Sequence, residues 1–245
     1  MKVAFAGDWH ANVHWARRAV VHAAEQGAET IVHLGDYGYS FTRDYLSAVE
    51  SALRRTGLTL QFVDGNHEDF TFLHALSIGE DGRRQITARV HHLPRGYRWE
   101  WDGVRFLALG GAFSVDRRWR TLGESYWAEE MITNDDIKRC IDGGPADVLV
   151  SHDCPTGVPI PGLERGKLIF PADALAQAEE HRTRLREVVD AVQPRAVWHG
   201  HYHVPYAMPI DFGYGPVDVH GLDMDTTTML TNMQIVDLAD MDWRR

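Results

Sequence analysis

Five short polar clusters, Gly7-Asp8-Trp9-His10, Gly35-Asp36, Gly65-Asn66-His67-Glu68, Ser151-His152 and Gly200-His201-Tyr202-His203, each stand where an apolar run ends and a turn begins. Their donors are carboxylate, amide and imidazole. No thiolate is among them, which suits Mn, Fe or Zn better than an iron–sulfur cluster or a calcium cage.

The runs between the clusters set the fold class. Residues 3–6, 30–34 and 58–63 read as strands, and residues 13–26 and 43–56 as helices. That alternation predicts parallel strands with crossover helices, an α/β chain. Loops at the carboxyl ends of such strands gather along one edge, and Asp8, Asp36 and Asn66 all fall in these loops. Short β runs between 89 and 109, with a hairpin signal at Asp102-Gly103, predict an antiparallel turn of the sheet. The segment 110–127 reads as a long functional loop, rich in aromatic and basic residues. A strand at 147–150 leads to His152, a helix spans 172–192, and a strand at 195–198 delivers His201 and His203. Residues 204–210, 216–220 and 233–238 are expected to complete a second sheet as antiparallel strands.

Composition narrows the setting. With 44% hydrophobic and 24% charged residues over 245 positions, the chain suits one domain, 1–245, with one core. A formal charge of −10 opposes wholesale neutralisation of phosphates, so duplex nucleic acid is not an expected partner. Cys140 and Cys154 form no metal-like pair and no disulfide scaffold, which favours a reducing compartment. Residues 2–6 are too short for a signal peptide, and no apolar run approaches the roughly 20 residues that span a bilayer. A soluble, cytoplasmic protein without a membrane partner is expected, and no pattern speaks to its oligomeric state.

Read in order, D-x-H, G-D, G-N-H-E, a lone His and G-H-x-H, the clusters resemble the signature of the calcineurin-like metallophosphoesterases, from Asp8 to His203. The run 110–116, together with Ser125-Tyr126-Trp127, resembles a bacterial and phage subgroup. The resemblance implies a four-layer sandwich of two mixed β-sheets flanked by helices. It also implies two divalent or mixed-valence ions of Mn, Fe or Zn. Carried over by motif, Asp8, His10, Asp36 and His203 would hold the first ion. Asp36, Asn66, His152 and His201 would hold the second, with Asp36 bridging and a water shared between the ions as nucleophile. His67 would serve as general acid, oriented by Glu68 or Asp69, and the Asn66 amide would turn toward the phosphate. The spacing of Asp8 with His10, and of His201 with His203, puts each pair on one side of an extended backbone, and Gly200 permits close approach.

Taken alone, Asp8 and Asp36 suit helix caps, and a lone His152 suits packing. The five clusters together favour metal ligation. His14, His22, His33, His74, His91, His92, His181 and His220 match no motif and read as structural or solvent-facing, while His199 is open between packing and support of the site. Trp9, Tyr37, Tyr202, Phe113, Trp119, Tyr126 and Trp127 tilt the reading toward a nucleoside-bearing substrate. Arg117, Arg118 and Arg120 are candidates for phosphate neutralisation. The function expected is hydrolysis of small phosphodiesters or nucleotides, cyclic nucleotides and 2′,3′-cyclic forms among them. Phosphomonoesterase, Ser/Thr protein phosphatase, nuclease and non-catalytic scaffold are the alternatives.

Overall fold

The computed structural model describes residues 1–163 and 169–240 and contains two six-stranded sheets. The first sheet contains β1 (Lys2–Ala6), β2 (Thr30–His33), β3 (Thr59–Phe62), β4 (Arg84–Gln85), β5 (Val90–His92) and β12 (Met233–Asp237), in the order β12-β1-β2-β3-β5-β4. The second contains β6 (Arg98–Trp101), β7 (Val104–Leu109), β8 (Val148–Ser151), β9 (Ala196–His199), β10 (Tyr206–Asp211) and β11 (Pro216–Gly221), in the order β10-β11-β9-β8-β7-β6. Both are mixed: their central strands run parallel and their edges antiparallel.

Strands β1, β2, β3, β8 and β9 are buried on both faces along most of their length, so their alternate residues enter different cores. Ala4 and Ala6 of β1 pack with Ala16 and Val20 of α1 (Val13–Glu25) and with Val49 and Leu53 of α2 (Arg43–Thr56). Val3 and Phe5 point the other way, to Phe106, Val148 and Trp198 of the second sheet. Leu149 and Val197 then meet Leu185 and Val189 of α5 (Ala172–Val192), beside α4 (Asn134–Asp142). The layers are therefore helix, sheet, sheet, helix, as expected. Phe5 stacks on Trp198 across the sheets, with centroids 4.2 Å apart and planes 7° apart. Truncating such a ring to Ala costs about 3–5 kcal/mol.

Among the described residues two further α-helices, α3 (Phe70–Ala75) and α6 (Met229–Asn232), are short and lie near the site. The crossover helices are capped by residues other than the site aspartates. Asn12 accepts from the Trp15 N–H and Thr42 from the Tyr45 N–H, while Gly57, at φ 82°, ends α2. Asp8 and Asp36 are thus free for other work.

Two topological expectations need correction. Asp102 and Gly103, both at positive φ, make the expected hairpin turn between β6 and β7. That hairpin opens the second sheet, whose β7 then continues parallel to β8. β12 does not complete the second sheet. It pairs antiparallel with β1, from Lys2 opposite Asp237 to Ala6 opposite Met233. An edge strand carries the same alternation in either sheet, so its pattern does not say which sheet it joins. The return of β12 beside β1 carries the segment 222–232 past the Asp8 loop: Asp225 N–H donates to the Asp8 carbonyl at 2.7 Å and Gly7 N–H to the Asn232 carbonyl at 2.8 Å.

Candidate metal centre

Parallel strands β1, β2, β3, β8 and β9 all end at the same edge, and the loops leaving them carry Asp8, Asp36, Asn66, His152 and His201. Glycine makes the approach possible. A Cβ on Gly200 would strike the Asp8 carboxylate, and one on Gly65 would strike Asp36. The expected extended backbone does not occur: His10 (φ 47°), Asp36 (φ 53°), His201 (φ 66°) and His203 (φ 54°) are all left-handed. Each such residue costs on the order of 1 kcal/mol, strain that clusters where side chains must be aimed.

The donors fall into two groups sharing Asp8. Ligand atoms of Asp8, His10 and His203 lie within 4.8 Å of one another, as do those of Asp8, Asp36 and His152. Asn66 Oδ1 lies 3.0 Å from His152 Nε2. The His201 ring is 5.0 Å from that of His152, and its backbone N–H lies 3.2 Å from Asp8 Oδ2. All seven residues expected as ligands therefore converge.

The direction of the hydrogen bonds tests whether these residues fit a cation. His152 Nδ1 is 2.8 Å from the Leu34 carbonyl, which can only accept, so Nδ1 carries the proton. In a neutral ring, Nε2 is then a lone pair. It faces Asn66 Oδ1 at 3.0 Å and Asp36 Oδ2 at 3.5 Å, both acceptors. His10 repeats the pattern: Nδ1 is 2.8 Å from Asp225 Oδ1, and Nε2 points toward Asp36 Oδ2 at 3.7 Å and Asp8 Oδ2 at 3.9 Å. Lone pairs that converge in this way require a positive charge between them.

A proton bound to an imidazole meets the same demand. Burial opposes a charge on His152, yet Asp36 and Asp8 push its pKa up to about 10. Burial likewise opposes His10, which Asp36, Asp8 and Asp225 raise to about 9. Burial would raise both aspartates, but the contact with His203 and the charge of His152 hold Asp8 low. His152, His67 and His10 hold Asp36 well below its usual range. Nitrogen and oxygen donors with this tautomer control fit a pair of transition-metal ions.

His67 stands beside this group, its Nε2 4.0 Å from Asp36 Oδ2. Burial, with Arg120 adding to it against Asp36, pushes its pKa down to about 4. Neither Glu68 nor Asp69 orients it, contrary to expectation. Buried Glu68 accepts backbone N–H groups of Asp36, Tyr37, Gly38 and Gly65, and so shapes both ligand loops. Asp69 caps α3 by accepting from the Phe72 N–H. The partner of His67 is Arg120, whose Nη1 and Nη2 each lie 2.9 Å from a ring nitrogen, and Asp116 accepts from Nη2 at 2.8 Å. Of the three loop arginines, only Arg120 reaches the site. Arg117 pairs with Glu130 and covers Phe113, and Arg118 lies over Trp119. The Asn66 amide does not turn to open space either, since its Nδ2 donates to Ser114 Oγ at 3.0 Å.

Most of the aromatic residues named from sequence belong to the core. Trp9, Tyr37, Phe113 and Trp127 are buried, and Tyr202 donates to Asp153 at 2.7 Å. The ring that borders the site is Tyr39, 40% exposed, stacked on His10 at 5.6 Å and edge-on to His67 at 4.8 Å. Sequence reasoning missed Tyr39, which sits three residues past Asp36 in a turn with no periodicity to mark it. It also missed Asp225, which only the β12 return brings to His10. His199 contacts the Tyr206 hydroxyl and the Gly200 carbonyl, supporting the loop without entering the donor group.

The family profile described as the calcineurin-like phosphoesterase superfamily domain matches residues 1–217. No curated protein matches the chain by sequence. Among solved structures, a dimetal phosphatase from Danio rerio is similar at TM-score 0.59 and 15% identity, covering 96% of this chain and 91% of its own. The protein TT1561 of Thermus thermophilus is similar at TM-score 0.54 and 12% identity, covering 91% of this chain and 89% of its own. At these identities the likeness is one of fold.

Proposed function

The chain belongs to the calcineurin-like phosphoesterase superfamily, and we propose that it hydrolyses small phosphodiesters, cyclic nucleotides and 2′,3′-cyclic forms among them. In this reading Asp8, His10, Asp36 and His203 hold one metal ion, and Asp36, Asn66, His152 and His201 hold a second, with Asp36 shared. The observation that carries it is the set of lone pairs on His152, Asn66 and Asp36 that face one another. Two divalent or mixed-valence ions of Mn, Fe or Zn, when bound, supply Lewis acidity and lower the pKa of water.

The protein's own groups do the rest. Asp225 and the Leu34 carbonyl fix the tautomers of His10 and His152, keeping both Nε2 atoms inward. Arg120 offers a planar guanidinium beside the donors, suited to a phosphoryl oxygen. His67, between Arg120 and Asp36, is placed to hydrogen-bond the leaving oxygen. Tyr39 offers a partly exposed face to an organic group on the second ester. Among the described residues Arg120 is the guanidinium that reaches His67, and with a formal charge of −10 this suits a singly charged diester better than a doubly charged monoester.

The test is hydrolysis of an aryl phosphodiester beside the matching monoester, with Mn²⁺, with chelator, and with Asn66→Ala protein. Faster, metal-dependent diester cleavage that Asn66→Ala abolishes is the expected result. Monoester preference would replace the diester reading with a phosphomonoesterase, and cleavage that persists in chelator would remove the metal mechanism.

A further inference from the structure

Asparagine is an ambiguous ligand, because rotating its amide by half a turn exchanges an oxygen donor for an NH₂ group that repels a cation. Something must choose the orientation. The chain of contacts behind Asn66 makes that choice, and it begins at Glu130, which is fully buried.

Glu130 accepts from the Ser114 backbone N–H at 3.1 Å through Oε1, where Arg117 also donates, and from Ser114 Oγ at 2.8 Å through Oε2. The Arg117 guanidinium, itself 4.0 Å above the Phe113 ring centroid, pairs with this carboxylate. A carboxylate fixed between a guanidinium and a backbone N–H is an acceptor. Ser114 therefore spends its only hydroxyl hydrogen on Glu130 and offers Asn66 lone pairs alone. Asn66 must answer with Nδ2, at 3.0 Å, which turns Oδ1 toward His152 and Asp36.

We infer that Ser114 and Glu130 are positioning residues that set the polarity of the Asn66 amide and so present its oxygen to the metal centre. The inference rests on the metal-centre reading above and adds the group that makes Asn66 a ligand. It also gives the 110–127 loop a role at its base, distinct from that of Arg120 at its tip. Glu130→Gln reverses the chain: the new side-chain NH₂ donates to Ser114 Oγ, the serine hydrogen turns to Asn66 Oδ1, and Nδ2 faces the donors.

The experiment is calorimetric titration of Mn²⁺ into the full chain and its variants. Ser114→Ala and Glu130→Gln are expected to weaken Mn²⁺ binding by about 10- to 100-fold, the usual consequence of losing a group that orients a ligand, and Ser114→Thr to restore it. In an Asn66→Asp background both side-chain atoms are oxygen, so adding Ser114→Ala is expected to change nothing further. Unchanged affinity in both single variants overturns the inference while leaving the metal centre standing, as does an equal loss in the Asn66→Asp background. No Mn²⁺ binding by the unaltered chain overturns the metal centre itself. Should a variant fail to fold, the side-chain NH₂ resonances of Asn66 in the unaltered protein decide. One slowly exchanging proton supports the inference, and fast exchange of both overturns it.

Discussion

The two halves of the donor cluster are built differently. Asp36 and His152 are 2% and 0% exposed, and Asn66 is 3% exposed. On the other side His10 is 13% exposed and His203 36%, with Asp8 buried beneath them. The closed half takes its orientation from deep groups, the Leu34 carbonyl at the end of β2 and the Ser114–Glu130 pair. The open half takes it from Asp225, on the segment that β12 draws back over the mouth. Burial thus buttresses one set of candidate donors, while a loop contact steers the other. The expected consequence is a closed site with little freedom beside an open one that can adjust to substrate.

Asp36 faces both halves, with Oδ2 3.5 Å from His152 Nε2 and 3.7 Å from His10 Nε2, so Asp36→Ala should have the largest effect. A fall in kcat of about 10³-fold or more is expected, in line with loss of a preorganised charged group, together with loss of both metal ions by elemental analysis. Retention of one ion would show that the halves are independent. His33 probes the floor of the cluster. It is buried edge-on to Trp9 at 4.6 Å, with neither ring nitrogen hydrogen-bonded, and burial pushes its pKa from 6.5 down to about 3. Below pH 6.5 the unfolded chain binds a proton that the folded chain refuses, so stability falls with pH until about 3. Urea unfolding at pH 5 should show His33→Phe relieved of about 2 kcal/mol of that loss relative to pH 7.

Asp225→Asn should act on the open half alone, weakening one metal-binding event by about 10-fold and sparing the other. Equal weakening of both would erase the distinction. Smallest is Tyr39→Ala. Loss of one aromatic contact, about 1 kcal/mol, should raise KM for a nucleoside-bearing diester by about fivefold with kcat unchanged. No change would remove Tyr39 from substrate binding.

The same division explains what the sequence displayed. Strands buried on both faces leave long apolar runs, and the candidate donors interrupt them at fixed places, so the parallel framework and the seven converging residues could be read directly. The groups that orient those ligands leave no local trace. Ser114 lies 48 residues from Asn66, and Asp225 lies 215 from His10. Glu68 looked like a partner for its neighbour His67, yet its carboxylate turned to four backbone N–H groups that only the folded loops assemble. Spacing alone also misjudged the backbone: His10, His201 and His203 reach the centre through left-handed turns. Adjacency in sequence says little about direction once a chain leaves its strand.

Lone pairs of Asp8, His10, Asp36, Asn66 and His152 converge on one small volume. The decisive measurement is the stoichiometry of Mn²⁺ bound to the purified chain, read by calorimetry with elemental analysis of the dialysed complex. Two ions per chain, with protons released as His10 and His152 give up theirs, is the predicted result. Binding of no ion, with phosphoester cleavage continuing in chelator, would contradict it.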